Sequence, residues 1–200
     1  MSRRMPLIEA LKVLQAARSD EVVVTMMSVA REWTALGSHP LDFVYVPSSM
    51  GQASSIGLGI ALARPDKRVI ACNGDGSTLM NLGSLVTITA EAPSNLTLLI
   101  FDNGVYEVTG AQATPGAAVS RQDQRDVDFA ALAAACRFES IFEFDDLESW
   151  RADLGRVLGA DGPTCVVLKV EPVSGGGAPK PPGPGAERAI RFAEALAAAT

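Results

Sequence analysis

The sequence predicts a doubly wound α/β fold: a mostly parallel sheet of about six strands with helices on both faces. Three observations support this fold class. Short apolar runs alternate with amphipathic or alanine-rich segments, as in successive βα units. The runs VVVT, RVIAC and TLLIF are apolar throughout, which is typical of strands covered on both sides. With 200 residues, 48% of them hydrophobic, the chain can bury a substantial core.

The predicted strands are the six short apolar runs that are bounded by turn-forming or charged residues. The stretch that follows the last of them is too rich in Gly and Pro to pack into a core. We therefore expect one domain over residues 1–172, a linker over 173–186 and a C-terminal helix over 187–200, docked on this domain or on a neighbour. The strands are expected at residues 21–25, 43–46, 68–72, 96–101, 140–144 and 164–170.

Helices are predicted between these strands from their capping signals. Pro6 opens the first, at a position where its missing N–H costs nothing. A second helix over residues 28–36 ends at Gly37, and a third covers residues 53–63. Asp145 and Glu148 predict a capping box for a helix that runs to Leu158.

Composition limits the classes of partner. The formal net charge is −6 and no basic block is present, so we expect neither a nucleic-acid surface nor an anionic membrane as partner. No run of 18 apolar residues occurs, so a cytoplasmic protein is expected. Cys72, Cys136 and Cys165 lie far apart, which predicts buried thiols in a reducing compartment rather than a zinc or iron–sulfur site.

The strongest candidate site lies where two predicted strands end. Gly74 and Gly76 flank Asp75 after strand 68–72, and glycine permits a sharp turn and close approach. A right-handed crossover would place strand 96–101 parallel to it, and where the two strands are neighbours Asp75 meets Asn103. Carboxylate and amide oxygens suit Mg²⁺ or Ca²⁺ completed by phosphate and water. The sequence therefore predicts a metal and diphosphate site at this edge.

A helix is expected directly after this turn. Ser77 or Thr78 would cap it, and its first N–H groups would face the same space. It should end near Glu91, before Pro93, and pack one stripe on the sheet. The predicted stripe consists of Leu79, Leu82, Leu85, Val86 and Ile88.

Many Gly-Asp-Gly triplets merely join a strand to a helix, but 26 residues separate Gly76 from Asn103, the length of a helix plus a strand. This pattern resembles the signature of the diphosphate-binding domain of thiamine diphosphate enzymes. The second half here is Asp102-Asn103, where many members have two asparagines. The resemblance extends through VPSSMGQASSIGLGIALARPDKRVIACNGDGS and NGVYEVTGAQATP, and looks closest to the β-subunit type of sulfopyruvate decarboxylase and half of phosphonopyruvate decarboxylase.

The resemblance implies roles for individual residues. Asp75, Asn103 and the backbone carbonyl of Val105 would be ligands of Mg²⁺. Met50 would support bent thiamine, and Ser48 would offer its carbonyl to the 4′-amino group. The remaining cofactor contacts implied for the aminopyrimidine and diphosphate are Gly51, Gly74, Gly76 and Ser77.

The resemblance also implies an incomplete active site. In this family a glutamate on a separate pyrimidine-binding domain promotes ylid formation, and the cofactor then serves as electron sink. This chain is long enough for one such domain only, so a partner α subunit is expected to carry that glutamate, and no confident catalytic residue is assigned here. The expected function is the thiamine diphosphate- and Mg²⁺-binding subunit of a 2-oxo acid decarboxylase whose substrate has a second acidic group.

Two other function classes remain open. One is half of an acetolactate synthase-like carboligase or a 2-oxo acid oxidoreductase β subunit, the latter disfavoured because such subunits usually carry clustered cysteines. The other is a regulatory or structural module that binds a nucleotide or diphosphate without turnover.

Several residues near the candidate site have two interpretations each. Met50 is either a cofactor contact or ordinary core. Gly57 and Gly59 suggest a dinucleotide fingerprint, but the third glycine is absent and close helix packing is the better interpretation. Glu107 either faces substrate or is an exposed loop carboxylate, and His39 is more typical of a surface turn than of a catalytic base.

A substrate with a second acidic group would need a cation, and three arginines are candidates. For Arg31, Arg121 and Arg125 alike, a solvated surface charge is the better interpretation. The polar loop over residues 110–125 is long enough for a lid, and disorder explains it equally well.

Overall fold

The computed structural model describes residues 4–45, 50–175, 180 and 183–199. Its central element is a seven-stranded parallel sheet. The strand order is β1-β9-β5-β4-β2-β3, with β8 also paired to β9, so the predicted fold class is confirmed. The strands are β1 (Met5–Pro6), β2 (Val22–Met26), β3 (Asp42–Tyr45), β4 (Val69–Gly74), β5 (Leu96–Asp102), β6 (Val105–Tyr106), β7 (Gln112–Ala113), β8 (Ser140–Phe144) and β9 (Thr164–Glu171). β6 and β7 form a separate antiparallel pair.

All six predicted strands are present, and the short strands β1, β6 and β7 are additions. Val46, the predicted last residue of the second strand, lies outside the described residues. The helices are α1 (Leu7–Ala17), α2 (Met27–Leu36), α3 (Ala53–Ala63), α4 (Asp75–Met80), α5 (Gly83–Glu91), α6 (Phe129–Ala135), α7 (Leu147–Gly159) and α8 (Gly185–Ala198), with 3₁₀ turns at Glu107–Thr109 and Ala118–Ser120.

The two faces of the sheet bury separate apolar clusters because successive strand residues point in opposite directions. In β2, Val23 packs with α1, α2 and α7, and this cluster includes Trp33 and Trp150. Val22 and Val24 pack on the other face with α3, α5, α6 and α8. Covering both faces explains why these strands are apolar throughout.

The single helix predicted after the Gly-Asp-Gly turn is wrong, because the chain forms α4 and α5 with a break at Asn81 and Leu82. The amide of Asn81 donates to the carbonyl of Gly51 at 3.1 Å, a tertiary contact at the break. Leu85 and Ile88 are buried as predicted, whereas Leu82 is 37% and Val86 58% exposed. The helix therefore packs on the sheet through a narrower stripe than predicted.

Three capping predictions have different outcomes. Gly37 ends α2 with a φ of 134°, as expected. Ser77 and Thr78 lie inside α4, where no side chain caps the first turn, so that prediction is wrong. The N-cap of α7 is Asp146 rather than Asp145, since its carboxylate accepts the N–H groups of residues 148 and 149.

Pro6 directly precedes α1 as its N-cap residue, one position before the predicted first turn. The two α3 glycines also differ. A Cβ on Gly57 would lie 2.7 Å from the Cβ of Ala71, so the close packing that we predicted is found there. Gly59 faces open space, and the packing interpretation is wrong at that position.

The C-terminal helix α8 docks on the strand at the β3 edge of the sheet. Phe192 is 8% exposed, and its ring centre lies 4.9 Å from that of Phe43. Arg188 donates to the carbonyl of Val44, and Arg64 donates to the carbonyl of Ala199 at 2.7 Å. The described residues contain no helix that is both long and apolar enough to span a bilayer.

Candidate functional site

Asp75 and the turn after β5 lie together because β4 and β5 are adjacent. The register pairs Gly74 with Phe101, so both strands end at the same level. Oδ2 of Asp75 accepts a hydrogen bond of 3.2 Å from the backbone N–H of Gly104 and another of 3.2 Å from the hydroxyl of Thr114. The adjacency that the spacing predicted is therefore present.

The carboxylate of Asp75 is buried without a cation beside it. The residue is 3% exposed, and no lysine or arginine within the described ranges forms an ion pair with it. Burial, followed by the negative charge of Asp102, raises the pKa of Asp75 to about 6. Opposing hydrogen bonds from the Gly76 backbone, Thr114 and the Asn103 backbone lower this pKa. A buried carboxylate normally requires a cationic or metal partner, so the site is suited to receive one.

Asp102, which stands where many resembling proteins have asparagine, forms ion pairs within the fold. Its Oδ2 lies 2.7 Å from Nζ of Lys169 on β9, and its Oδ1 lies 3.7 Å from Nη1 of Arg4. Both Asp102 and Lys169 are buried. Where many resembling proteins have a second asparagine, this chain has an aspartate whose charge is paired with a lysine on the neighbouring strand.

Asn103 is held at both ends of its side-chain amide. Its Nδ2 donates to Oε1 of Glu107 at 2.8 Å, and its Oδ1 accepts the N–H of Val105 at 2.9 Å. Glu107 is only 6% exposed, so its interpretation as an exposed loop carboxylate is wrong. Oε2 of Glu107 lies 3.6 Å from Nη2 of Arg31, which makes an ion pair.

A cleft opens at this edge of the sheet, between α2 and the 3₁₀ turn that begins at Glu107. Residues 26–29, at the end of β2 and the start of α2, form one side. Most of the residues predicted as cofactor contacts line the cleft. These are Met50, Gly74, Asp75, Gly76, Ser77, Asn103 and Val105.

Two predicted contacts differ from this group. Gly51 is not among the residues that line the cleft. Its φ of 85° and a clash of 2.7 Å between an added Cβ and the carbonyl oxygen of Ser77 require glycine. Ser48 lies outside the described residues.

At Gly76 an added Cβ would overlap the ring of Tyr106 and come within 3.1 Å of Thr114. Glycine at residue 76 therefore lets the turn pack directly under Tyr106.

The arginines that we considered for substrate binding do not line the cleft. Arg31 is half-buried and pairs with Glu32 as well as Glu107. Arg121 and Arg125 are exposed, and Arg121 pairs with Asp123.

His39 is half-buried within a turn, where Nδ1 lies 3.0 Å from Nη2 of Arg18 and accepts the N–H of Leu41. The three cysteines are free thiols; Cys72 and Cys165 are buried as expected, whereas Cys136 is only half-buried. Burial raises the pKa of Cys165 to about 12, so this thiol is not a nucleophile near neutral pH.

Sequence reasoning missed Thr114, Tyr106 and the residues at the start of α2. Thr114 is fully buried, and the β6–β7 hairpin brings it to Asp75. Met27 begins α2 with a φ of 56°, a left-handed conformation that no sequence pattern indicates for methionine. Gly110 is the one turn-forming residue between Thr109 and Pro115, so the sequence signal for the hairpin was weak.

Residues 23–168 match the family model of the thiamine pyrophosphate enzyme, C-terminal TPP binding domain. The chain belongs to this family. The match runs from within β2 to within β9 and includes the ends of β4 and β5, where Asp75 and Asn103 lie. Membership of this family supports thiamine diphosphate as the cofactor that the domain binds.

Curated relatives share between a third and two fifths of their aligned residues with this domain. A phosphonopyruvate decarboxylase of Streptomyces viridochromogenes is 40% identical over 175 residues, which are 88% of this chain and 42% of the relative. A sulfopyruvate decarboxylase subunit beta of Methanothermobacter thermautotrophicus is 38% identical over 166 residues, 82% of each chain. The chain thus spans about two fifths of the first relative and most of the second.

A solved structure has the same fold. It is described as a thiamin diphosphate-dependent enzyme from Mycobacterium smegmatis, and it superposes with a TM-score of 0.67 at 22% identity. The match covers 86% of this chain and 33% of the other. The fold of this chain thus corresponds to about one third of that longer chain.

Proposed function

We propose that this chain is the thiamine diphosphate- and Mg²⁺-binding subunit of a 2-oxo acid decarboxylase, with its active site completed by a partner subunit. The observation that carries the proposal is the match to a separate β subunit over 82% of both chains. Phosphonopyruvate and sulfopyruvate, named in the relatives, each have a second acidic group beside the 2-oxo acid. The substrate proposed here belongs to the same class.

The residues at the cleft fit a hard divalent cation. Asp75 supplies a buried carboxylate that has no cationic partner among the residues that the structure describes, Asn103 an amide oxygen and Val105 a backbone carbonyl. No cluster of three or more His, Cys, Asp or Glu side chains suited to a metal occurs in the part of the chain that the structure describes. So few protein ligands favour Mg²⁺ shared with phosphate oxygens over an all-protein cage.

The other lining residues would bind and shield the cofactor. Gly74, Gly76 and Ser77 would contact the diphosphate, and Met50 would support the thiamine. Ser48 and Gly51 are proposed as contacts of the aminopyrimidine region. Bound thiamine diphosphate supplies an electron sink for the loss of carbon dioxide.

This chain provides binding and orientation but lacks an assigned proton-transfer group for the aminopyrimidine. Glu107 is engaged with Asn103 and Arg31, and its position beside the proposed metal turn gives it a different role. We therefore assign the activating glutamate to the pyrimidine-binding domain of an α subunit. The cleft must be covered by that subunit for turnover.

Reconstitution tests this proposal. The chain is purified alone and together with a pyrimidine-domain subunit, and both samples are supplied with thiamine diphosphate, Mg²⁺ and a series of 2-oxo acids. The pair should release carbon dioxide from sulfopyruvate or phosphonopyruvate faster than from pyruvate. Full decarboxylation by the chain alone would contradict the split active site, and preference for pyruvate would contradict the substrate class.

A further inference from the structure

Glu107 is a buried carboxylate, and the proposed function assigns it no direct contact with the cofactor. Its Oε1 accepts two hydrogen bonds of 2.8 Å, one from Nδ2 of Asn103 and one from the backbone N–H of Val173. Its Oε2 is buried and accepts no hydrogen bond from the described residues, although Nη2 of Arg31 lies 3.6 Å away. Burying a carboxylate costs free energy. The contacts that Glu107 makes therefore indicate which interactions offset that cost.

The contact with Asn103 determines which way the amide points. An ionised carboxylate only accepts hydrogen bonds, whereas an asparagine amide has a donor on one side and an acceptor on the other. Glu107 therefore requires the NH₂ group of Asn103 to face it. The oxygen of Asn103 is left on the opposite side, where it accepts the N–H of Val105.

Glu107 also joins three segments that are distant in sequence. Asn103 follows β5, Val173 follows β9 and Arg31 lies on α2. Since β5 and β9 are paired strands, the contact with Val173 fixes the turn after β5 against its neighbour. The ion pair with Arg31 connects the same turn to the helix on the other side of the cleft.

We propose that Glu107 is a positioning residue that directs the side-chain oxygen of Asn103 toward the cation. This role rests on the proposed function, since it presumes that Mg²⁺ binds there. Without Glu107 only the N–H of Val105 still orients the amide. The NH₂ group can then turn toward the cation site more readily, and there it repels a cation and cannot ligate it. Mg²⁺ affinity should then fall while the fold is retained.

Two substitutions separate positioning from a general structural effect. Glu107→Gln retains an acceptor oxygen for Asn103 and Val173, whereas Glu107→Leu has a comparable volume and no acceptor. Glu32→Gln is the matched control. It removes the other carboxylate paired with Arg31, at 2.7 Å, and the structure shows no hydrogen bond between Glu32 and Asn103.

The first measurement is the Mg²⁺ concentration that gives half-maximal binding of thiamine diphosphate by the full chain, or by the pair where the partner is required. Glu107→Leu should raise it about 10- to 100-fold, the range known for residues that orient metal ligands. In Glu107→Gln this Mg²⁺ concentration should rise much less than in Glu107→Leu. In Glu32→Gln it should stay within about twofold of the wild-type value. An unchanged value for Glu107→Leu, or equal losses in all three variants, would overturn the proposal.

The second measurement needs neither metal nor cofactor. The side-chain amide of Asn103 is identified in the ¹H–¹⁵N spectrum by its loss in Asn103→Asp, and its hydrogen exchange is compared with that of Glu107→Leu. Exchange should be slow in wild type and in Glu107→Gln, and fast in Glu107→Leu. Equal exchange in wild type and Glu107→Leu would overturn the positioning role, whereas absence of Mg²⁺-dependent binding in wild type would contradict the proposed function instead.

Discussion

The hydroxyl of Thr114 donates a hydrogen bond of 3.2 Å to Oδ2 of Asp75, 39 residues away in the sequence. Thr114 is fully buried, and its bond stabilises the charged carboxylate. The hairpin formed by β6 and β7 therefore supports the turn that follows β4. This relationship leads to the first prediction.

Thr114→Val should lower the free energy of unfolding of the metal-free chain by about 1–3 kcal/mol at pH 8, because it leaves a buried carboxylate without one donor. The loss should be smaller at pH 4.5, where Asp75 is largely protonated. Urea unfolding at both pH values measures it. Thr114→Ser keeps the hydroxyl and serves as control; equal destabilisation by Ser and Val would show that packing, not the hydrogen bond, is responsible.

Asp75→Asn should stabilise the metal-free chain at neutral pH. The pKa of Asp75 is raised to about 6 in the fold from 3.8, so the folded state binds more protons between these values and wild-type stability falls as pH rises through this window. The advantage of Asp75→Asn should therefore grow by about 2 kcal/mol between pH 4.5 and pH 7.5. Urea unfolding in EDTA measures this change. Asp123→Asn, at an exposed site, is the control, and an advantage that does not vary with pH would contradict the burial argument.

Two glycines of α3 should respond in opposite directions to alanine. Gly57→Ala places a Cβ 2.7 Å from that of Ala71 and should cost about 1–3 kcal/mol. Gly59→Ala enters open space and should stabilise the helix by about 0.5–1 kcal/mol. Thermal and urea unfolding of both variants provide the comparison. Similar effects of the two substitutions would contradict the packing of α3 on β4.

Removing the aromatic anchor of α8 should destabilise the chain. Phe192→Ala deletes a buried ring that packs on Phe43 and should cost about 2–4 kcal/mol, because a partly filled cavity remains. Ile190→Ala, at a position 59% exposed on the same helix, should change the free energy of unfolding by less than about 0.5 kcal/mol. Chemical denaturation distinguishes them. If Phe192→Ala were as mild as Ile190→Ala, α8 would not be docked in solution.

The strands and the juxtaposition of Asp75 with Asn103 were predictable because both depend on local patterns. Apolar runs mark buried parallel strands, and the 26-residue interval from Gly76 fits one crossover. Helix ends were less predictable. Adjacent Asp145 and Asp146 are equivalent as caps in sequence, and the break after α4 coincides with a contact from Asn81 to distant Gly51.

The supporting contacts of the site could not be predicted because they join distant segments. Glu107 is buried by Arg31 and Val173, which lie 76 and 66 residues from it in sequence. Thr114 reaches Asp75 only after the hairpin folds back. α6 was missed as well, since FAALAAA has no clear polar face to reveal a helix on the sheet.

The central claim is that Asp75 and Asn103 hold Mg²⁺ with thiamine diphosphate. Calorimetry of the full chain, alone and with the proposed partner subunit, compares cofactor binding in Mg²⁺ and in EDTA. The account predicts binding that requires Mg²⁺ and is abolished by Asp75→Ala, while Asp123→Ala binds like wild type. Equal cofactor affinity in Mg²⁺ and EDTA, or undiminished binding by Asp75→Ala, would contradict it.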